Sequence, residues 1–174
     1  MRKERMNNKG FSLVELIIVI AIMAILAAAL APQLMKYIEK SRVSTDATSC
    51  ASIESCVNAA LANEDAYKEV AKMGSGSTSY KQWTFYIGYD ASKKEPKFKF
   101  DNPLTPASGS GDPAFKTELK EALSGLKEPK QTGMESYKVE IEVRQTTATG
   151  EAGTSSKVFD IGKIRVETDE TEVK

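Results

Sequence analysis

The chain has 174 residues, with 24 basic and 24 acidic side chains, no histidine and two cysteines. Without histidine the commonest zinc ligand and the Ser-His and Cys-His nucleophile pairs are gone, and a balanced charge gives no electrostatic footprint for nucleic acid. A chain of this length is expected to form one globular domain plus an extension.

Residues 1–10 are a short basic leader, with Arg2, Lys3, Arg5 and Lys9 against Glu4. Residues 11–31 follow as a run whose only polar side chains are Ser12 and Glu15. A soluble surface helix would show a polar stripe at a period of about 3.6 residues. None is present, and a bilayer core needs about 20 apolar residues at ~1.5 Å each, so the run is expected to span a membrane. The leader charges keep its N-terminal end cytoplasmic and send the remainder across. An ordinary signal peptide is the competing reading, since Ala29-Leu30-Ala31 is a small-x-small site. Pro32 directly after the cut and a run longer than the usual ~7–15 residues argue against it.

Glu15 is the unusual residue, because an ionisable group inside hydrocarbon costs on the order of 2.5–3.5 kcal/mol. It either snorkels to the interface or has a role in the membrane. Pro32 is expected to kink the helix rather than end it, because residues 33–73 contain neither glycine nor proline. Over residues 32–73 the pattern turns amphipathic, with Leu34, Ile38, Ala47, Cys50, Ile53, Val57, Ala60 and Leu61 on one stripe. Residues 63–73 are either the last turns of this helix or a separate short one. On one helix, Cys50 and Cys56 lie about 9 Å apart along the axis and ~120° around it, beyond disulfide reach. Lys36, Glu39, Lys40, Arg42 and Asp46 form a polar junction, suited either to solvent or to ion pairs between subunits.

Gly74 and the serine-rich residues after it stop the helix. Residues 74–174 then read as a globular head. Strands are expected at 83–89 and 97–100, and a helix over 113–123 capped by Asp112. Residues 101–113 look like a coreless loop. The strongest strand is 137–145, where Tyr137, Val139, Ile141 and Val143 alternate with charged residues. After a flexible connection, 157–167 returns as its hairpin partner. Its alternation changes phase at Gly162, which marks a bulge or a turn. The tail is expected to fray. Calcium ligation by Asp169, Glu170 and Glu172 competes with a simple solvated end. Lys93, Lys94, Lys97 and Lys99 beside aromatics fit an edge strand guarded by lysines as well as a single-strand nucleic-acid surface. No catalytic, cofactor or metal motif is found.

The string Lys9-Gly10-Phe11-Ser12-Leu13-Val14-Glu15-Leu16, behind the basic leader and ahead of the apolar run, resembles the N-terminus of type IV pilin precursors with a class III signal peptide. The resemblance implies cleavage by a prepilin peptidase between Gly10 and Phe11, N-methylation of Phe11, and an assembly role for Glu15 opposite the new amine of a neighbouring subunit. It implies an α+β, pilin-like fold: a long N-terminal spine helix, transmembrane in its first half, packed on a C-terminal antiparallel β-sheet. Removing residues 1–10 leaves 20 basic and 23 acidic residues, a net charge of −3. No cysteine follows Cys56, unlike many Gram-negative relatives that close a C-terminal loop with a disulfide.

The implied function is that of a major pilin, a filament subunit and not an enzyme, needing no cofactor and no metal. Its expected partners are copies of itself, the prepilin peptidase, the inner-membrane assembly machinery and the membrane, with no nucleic acid. It would be a single-pass membrane protein first and an extracellular filament later, serving adhesion, biofilm formation and twitching motility. A pseudopilin of a secretion or competence system and a monomeric single-span binding protein are the alternatives.

Overall fold

The structure, a computed structural model, describes residues 11–74, 79–104, 106, 111–149 and 155–173. It forms one compact unit ending at Ser41 and a second beginning at Arg42. Helix α1, Leu13–Ala60, contributes to both.

In the first unit, Ser12 precedes the helix and Glu15 lies on its first turn. The Ser12 N–H donates to Glu15 Oε2 at 2.9 Å, half of the Ser-x-x-Glu capping box that satisfies orphan donors at a helix start. Every large apolar side chain from Phe11 to Ile38 is exposed on the single chain, as expected of a helix whose packing partners are lipid or other chains. Pro32 lies inside α1.

The second unit is the head. It contains the end of α1, helix α2 (Glu64–Ala71), a 3-10 turn at Lys72–Gly74, strands β1 (Lys81–Asp90) and β2 (Glu95–Phe100), helix α3 (Ala114–Ala122), and strands β3 (Ser136–Thr149) and β4 (Ser155–Asp169). The sheet is antiparallel throughout, in the order β2-β1-β3-β4. Its inner face is the odd-numbered side of β1 and β3, and Phe85, Ile87, Val139, Ile141 and Val143 are fully buried there. Ile53 and Val57 of α1, Val70 of α2, and Phe115 and Leu119 of α3 close over that face. Trp83 stacks on Phe100 at 5.7 Å between ring centres, and Phe85 meets Phe115 edge-on at 5.8 Å, both favourable aromatic geometries.

Several sequence expectations change here. The helical stretch 32–73 divides: α1 ends at Ala60, and Asn63 Oδ1 accepts from the N–H groups of Asp65 and Ala66 to start α2, an N-cap hidden in a region free of glycine and proline. The amphipathic stripe is buried only from Ile53 on; Cys50 is half-buried, while Leu34, Ile38 and Ala47 are exposed. Leu104 in the supposedly coreless loop is buried in the core. Strand pairing between β3 and β4 reaches Thr149 and Ser155, so the connection expected from Thr146 is shorter; its β-branched threonines suit a strand. Asp112 does not cap α3 but pairs with Lys116 at 3.1 Å on the surface.

The phase change at Gly162 is a bulge. Ile141 pairs with Ile164 and Val143 with Ile161, so Gly162 and Lys163 together face Glu142. A Cβ at Gly162 would come within 2.6 Å of the Tyr80 ring. That ring lies under the Arg144 guanidinium at 4.4 Å, and its hydroxyl donates to Asp160 at 2.8 Å. Gly162→Ala is therefore expected to displace Tyr80 and cost roughly 1–3 kcal/mol, the usual range for overpacking. Urea unfolding of the two proteins measures it, and indistinguishable midpoints would show that the ring moves aside freely.

The tail is not frayed. Val173 is buried, and a Cβ on Gly88 of β1 would stand 2.7 Å from Val173 Cβ. Asp169 holds the approach, accepting from Thr171 N–H at Oδ1 and from Glu135 N–H at its carbonyl. The tail thus seats across the outer side of β1, where glycine leaves it room.

Candidate processing and assembly site

Phe11 and Glu15 stand at the start of α1. Phe11 is 80% exposed; Gly10 lies outside the described residues. The Glu15 carboxylate sits where the helix macrodipole favours an anion, and it is held by the N–H of Ser12, next to Phe11. Pro32, with no N–H, leaves the Ala28 carbonyl without its usual donor. No described side chain of the head is needed to build this arrangement.

Within the head, two buried carboxylates hold the architecture, and sequence reasoning missed both roles. Asp46, placed above in the polar junction, is 1% exposed. Its Oδ1 and Oδ2 accept from Lys130 N–H at 2.8 and 2.9 Å, and Oδ2 accepts from Gln131 N–H at 2.8 Å. This clasp fixes the loop after α3 to α1. Glu69 of α2 is also 1% exposed and accepts from Ala114 and Phe115 N–H, both at 3.0 Å. It therefore caps α3 from a different helix, satisfying donors that Pro113 leaves open.

The cysteines are both free and half-buried. Burial, and then the carboxylates of Asp46 and Glu167, push the Cys50 thiol up, away from the thiolate that redox chemistry needs. Cys56 Sγ points at the Ala122 carbonyl, 3.6 Å away. On the outer face, hydrogen bonds from Tyr80 and then Arg144 hold the Asp160 carboxyl below its ordinary range. Lys138 bridges Glu140 and Glu167, at 2.6 and 3.3 Å. These are neutralised pairs that finish a wet sheet face. Among the described residues no cluster of three or more His, Cys, Asp or Glu could hold a metal ion.

Residues 5–31 match the model of the prokaryotic N-terminal methylation motif. The chain is similar to prepilin peptidase-dependent protein A of Clostridium perfringens, with 29% identity over 80% of this chain and 81% of that protein. It is similar to the type IV major fimbrial protein FimA of Dichelobacter nodosus, also at 29%, over 80% of this chain and 93% of that one. The type IV major pilin protein PilA of Myxococcus xanthus is 30% identical over 63% of this chain and 50% of its own length. No solved structure matches the chain significantly. The methylation motif, the apolar helix, the antiparallel head and these relatives together support a type IV pilin.

Proposed function

We propose that this chain is the repeating structural subunit of a type IV pilus, made as a single-pass membrane precursor and cleaved between Gly10 and Phe11. The observation that carries the proposal is the pairing, at one helix start, of a carboxylate with an outward-facing apolar helix. Glu15 stands one turn from the future N-terminus, and every large apolar side chain from Phe11 to Ile38 is exposed among the described residues. Such a helix changes solvent at assembly, leaving lipid for a bundle of like helices, and a kink at Pro32 would let the two halves of α1 follow different neighbours.

Cleavage creates a cationic amine on Phe11, and in a parallel bundle that amine meets the Glu15 carboxylate of an adjacent copy. An intact buried pair adds little net stability, whereas a half-pair is strongly penalised, so the pair sets register. The partners are further copies, a prepilin peptidase and the inner-membrane assembly machinery. Adhesion, biofilm formation and twitching motility are the services such a filament provides, and the role is structural, not enzymatic. A pseudopilin of a secretion system would share this N-terminus and differ in making only short filaments.

Mass spectrometry of protein sheared from cells tests the proposal. The mature chain is expected to begin at N-methylated Phe11, and Gly10→Val is expected to retain residues 1–10 and abolish shearing. A chain beginning at Met1 or Pro32 in the wild type would overturn it.

A further inference from the structure

The turn that follows the apolar run carries a cationic notch that the pairing of Phe11 with Glu15 does not involve. Gln33, Lys36, Tyr37 and Lys40 lie at steps of three and four, on one face of α1, and line a shallow notch of about 220 Å³. Tyr37 is 70% exposed. Lys36 and Lys40 are an i, i+4 pair of like charge, an arrangement that destabilises an isolated helix. Neither forms an ion pair with Glu39 or with any other described acid.

Position along the helix points to the missing anion. Residues 11–31 extend about 32 Å at ~1.5 Å per residue, close to the ~30 Å of a hydrocarbon core. Residues 33–40 therefore cover the next ~10 Å, the depth of the headgroups. Tyrosine is enriched at that depth, its ring on the acyl boundary and its hydroxyl in water. Lysines there reach phosphates while their methylene stems stay on apolar surface.

We propose that Gln33, Lys36, Tyr37 and Lys40 form a headgroup-binding collar that holds the phosphate of an anionic phospholipid between the two lysines, in the leaflet where the helix leaves the membrane. This rests on the reading of residues 11–31 as a membrane span. The bound phosphate removes the Lys36–Lys40 repulsion, so the precursor is fixed in depth before assembly. On extraction into a filament the lipid is left behind.

The test uses the full chain in mixed micelles containing equal amounts of phosphatidylglycerol and phosphatidylcholine, with retained lipid counted by native mass spectrometry. The wild type is expected to retain phosphatidylglycerol roughly tenfold over phosphatidylcholine, given the attraction of each juxtamembrane lysine to anionic lipid. Lys36→Gln with Lys40→Gln is expected to bring the ratio close to parity. Lys93→Gln with Lys94→Gln, in the β1–β2 turn of the head, is expected to leave it unchanged. A wild type without preference, a preference that survives the Lys36/Lys40 change, or one equally lost in the Lys93/Lys94 variant overturns the collar. If the Lys36/Lys40 variant keeps its lipid but loses filaments, the two cations face acids of a second copy instead, and the collar is again overturned. Alkaline carbonate extraction of cell membranes separates the two readings. Wild type released to the supernatant means that the span itself has failed, whereas wild type that stays in the membrane without lipid preference fails only the collar.

Discussion

Glu69→Ala is expected to destabilise the head by about 2–4 kcal/mol, because it strips the cap from α3 and leaves two N–H groups without an acceptor in a buried site. Ala114 and Phe115 donate to the two oxygens of this carboxylate at 3.0 Å, and Pro113 offers no side-chain replacement. The loss propagates, since Phe115 is the α3 residue that meets both Trp83 and Phe85. Trp83 is the chain's single tryptophan, so urea unfolding of the full chain in detergent can be followed by its fluorescence. Glu69→Gln keeps an acceptor and is expected to lose less than half as much. Equal and small effects, below about 0.5 kcal/mol in both variants, would mean that water replaces the carboxylate and that α3 is not capped from α2.

Glu15→Ala is expected to eliminate filaments while leaving the amount of processed subunit in the membrane unchanged. The proposed pairing with the Phe11 amine of a neighbour makes the defect one of assembly: a lone cation left in the bundle is penalised by roughly 3–5 kcal/mol at each subunit. The hydrogen bond from Ser12 N–H to Glu15 offers a simpler role, that of a helix cap, and Glu15→Gln separates the two. Glutamine can still accept from Ser12 but carries no charge. Filaments lost in both variants, seen by electron microscopy of sheared material, fit the charge pair. Filaments kept in Glu15→Gln would reduce Glu15 to a cap.

Much of this molecule could be read from its residues, for reasons that lie in local pattern. The apolar run needs only its own composition to be recognised, and the alternation in β3 fixes which face is buried without reference to any partner. The irregularity at Gly162 was legible too, as a bulge or a turn, and the register of β3 against β4 decides for the bulge. What escaped depends on distant neighbours. Asp46 and Glu69 look like solvated helix residues, and their N–H partners lie 84 and 45 residues away. A carboxylate that caps another element has no periodicity of its own. Leu104 and Val173 escaped similarly, as single apolar residues inside polar stretches whose burial is decided by what passes over them. At the N-terminal site the residue types were legible, and the capping contact of Glu15 was visible in the Ser12-Leu13-Val14-Glu15 spacing had it been read as a capping box.

The seat of Val173 on Gly88 bears on how this sequence can vary. With 2.7 Å between Val173 Cβ and the point where a Cβ on Gly88 would stand, no larger residue can enter position 88 while valine occupies position 173. The reverse change is open, because glycine at 173 would remove the Cβ that stands in the way. Drift at these two positions, 85 residues apart, is therefore ordered in time: the tail must yield before the strand can change, and the pair behaves as one heritable unit.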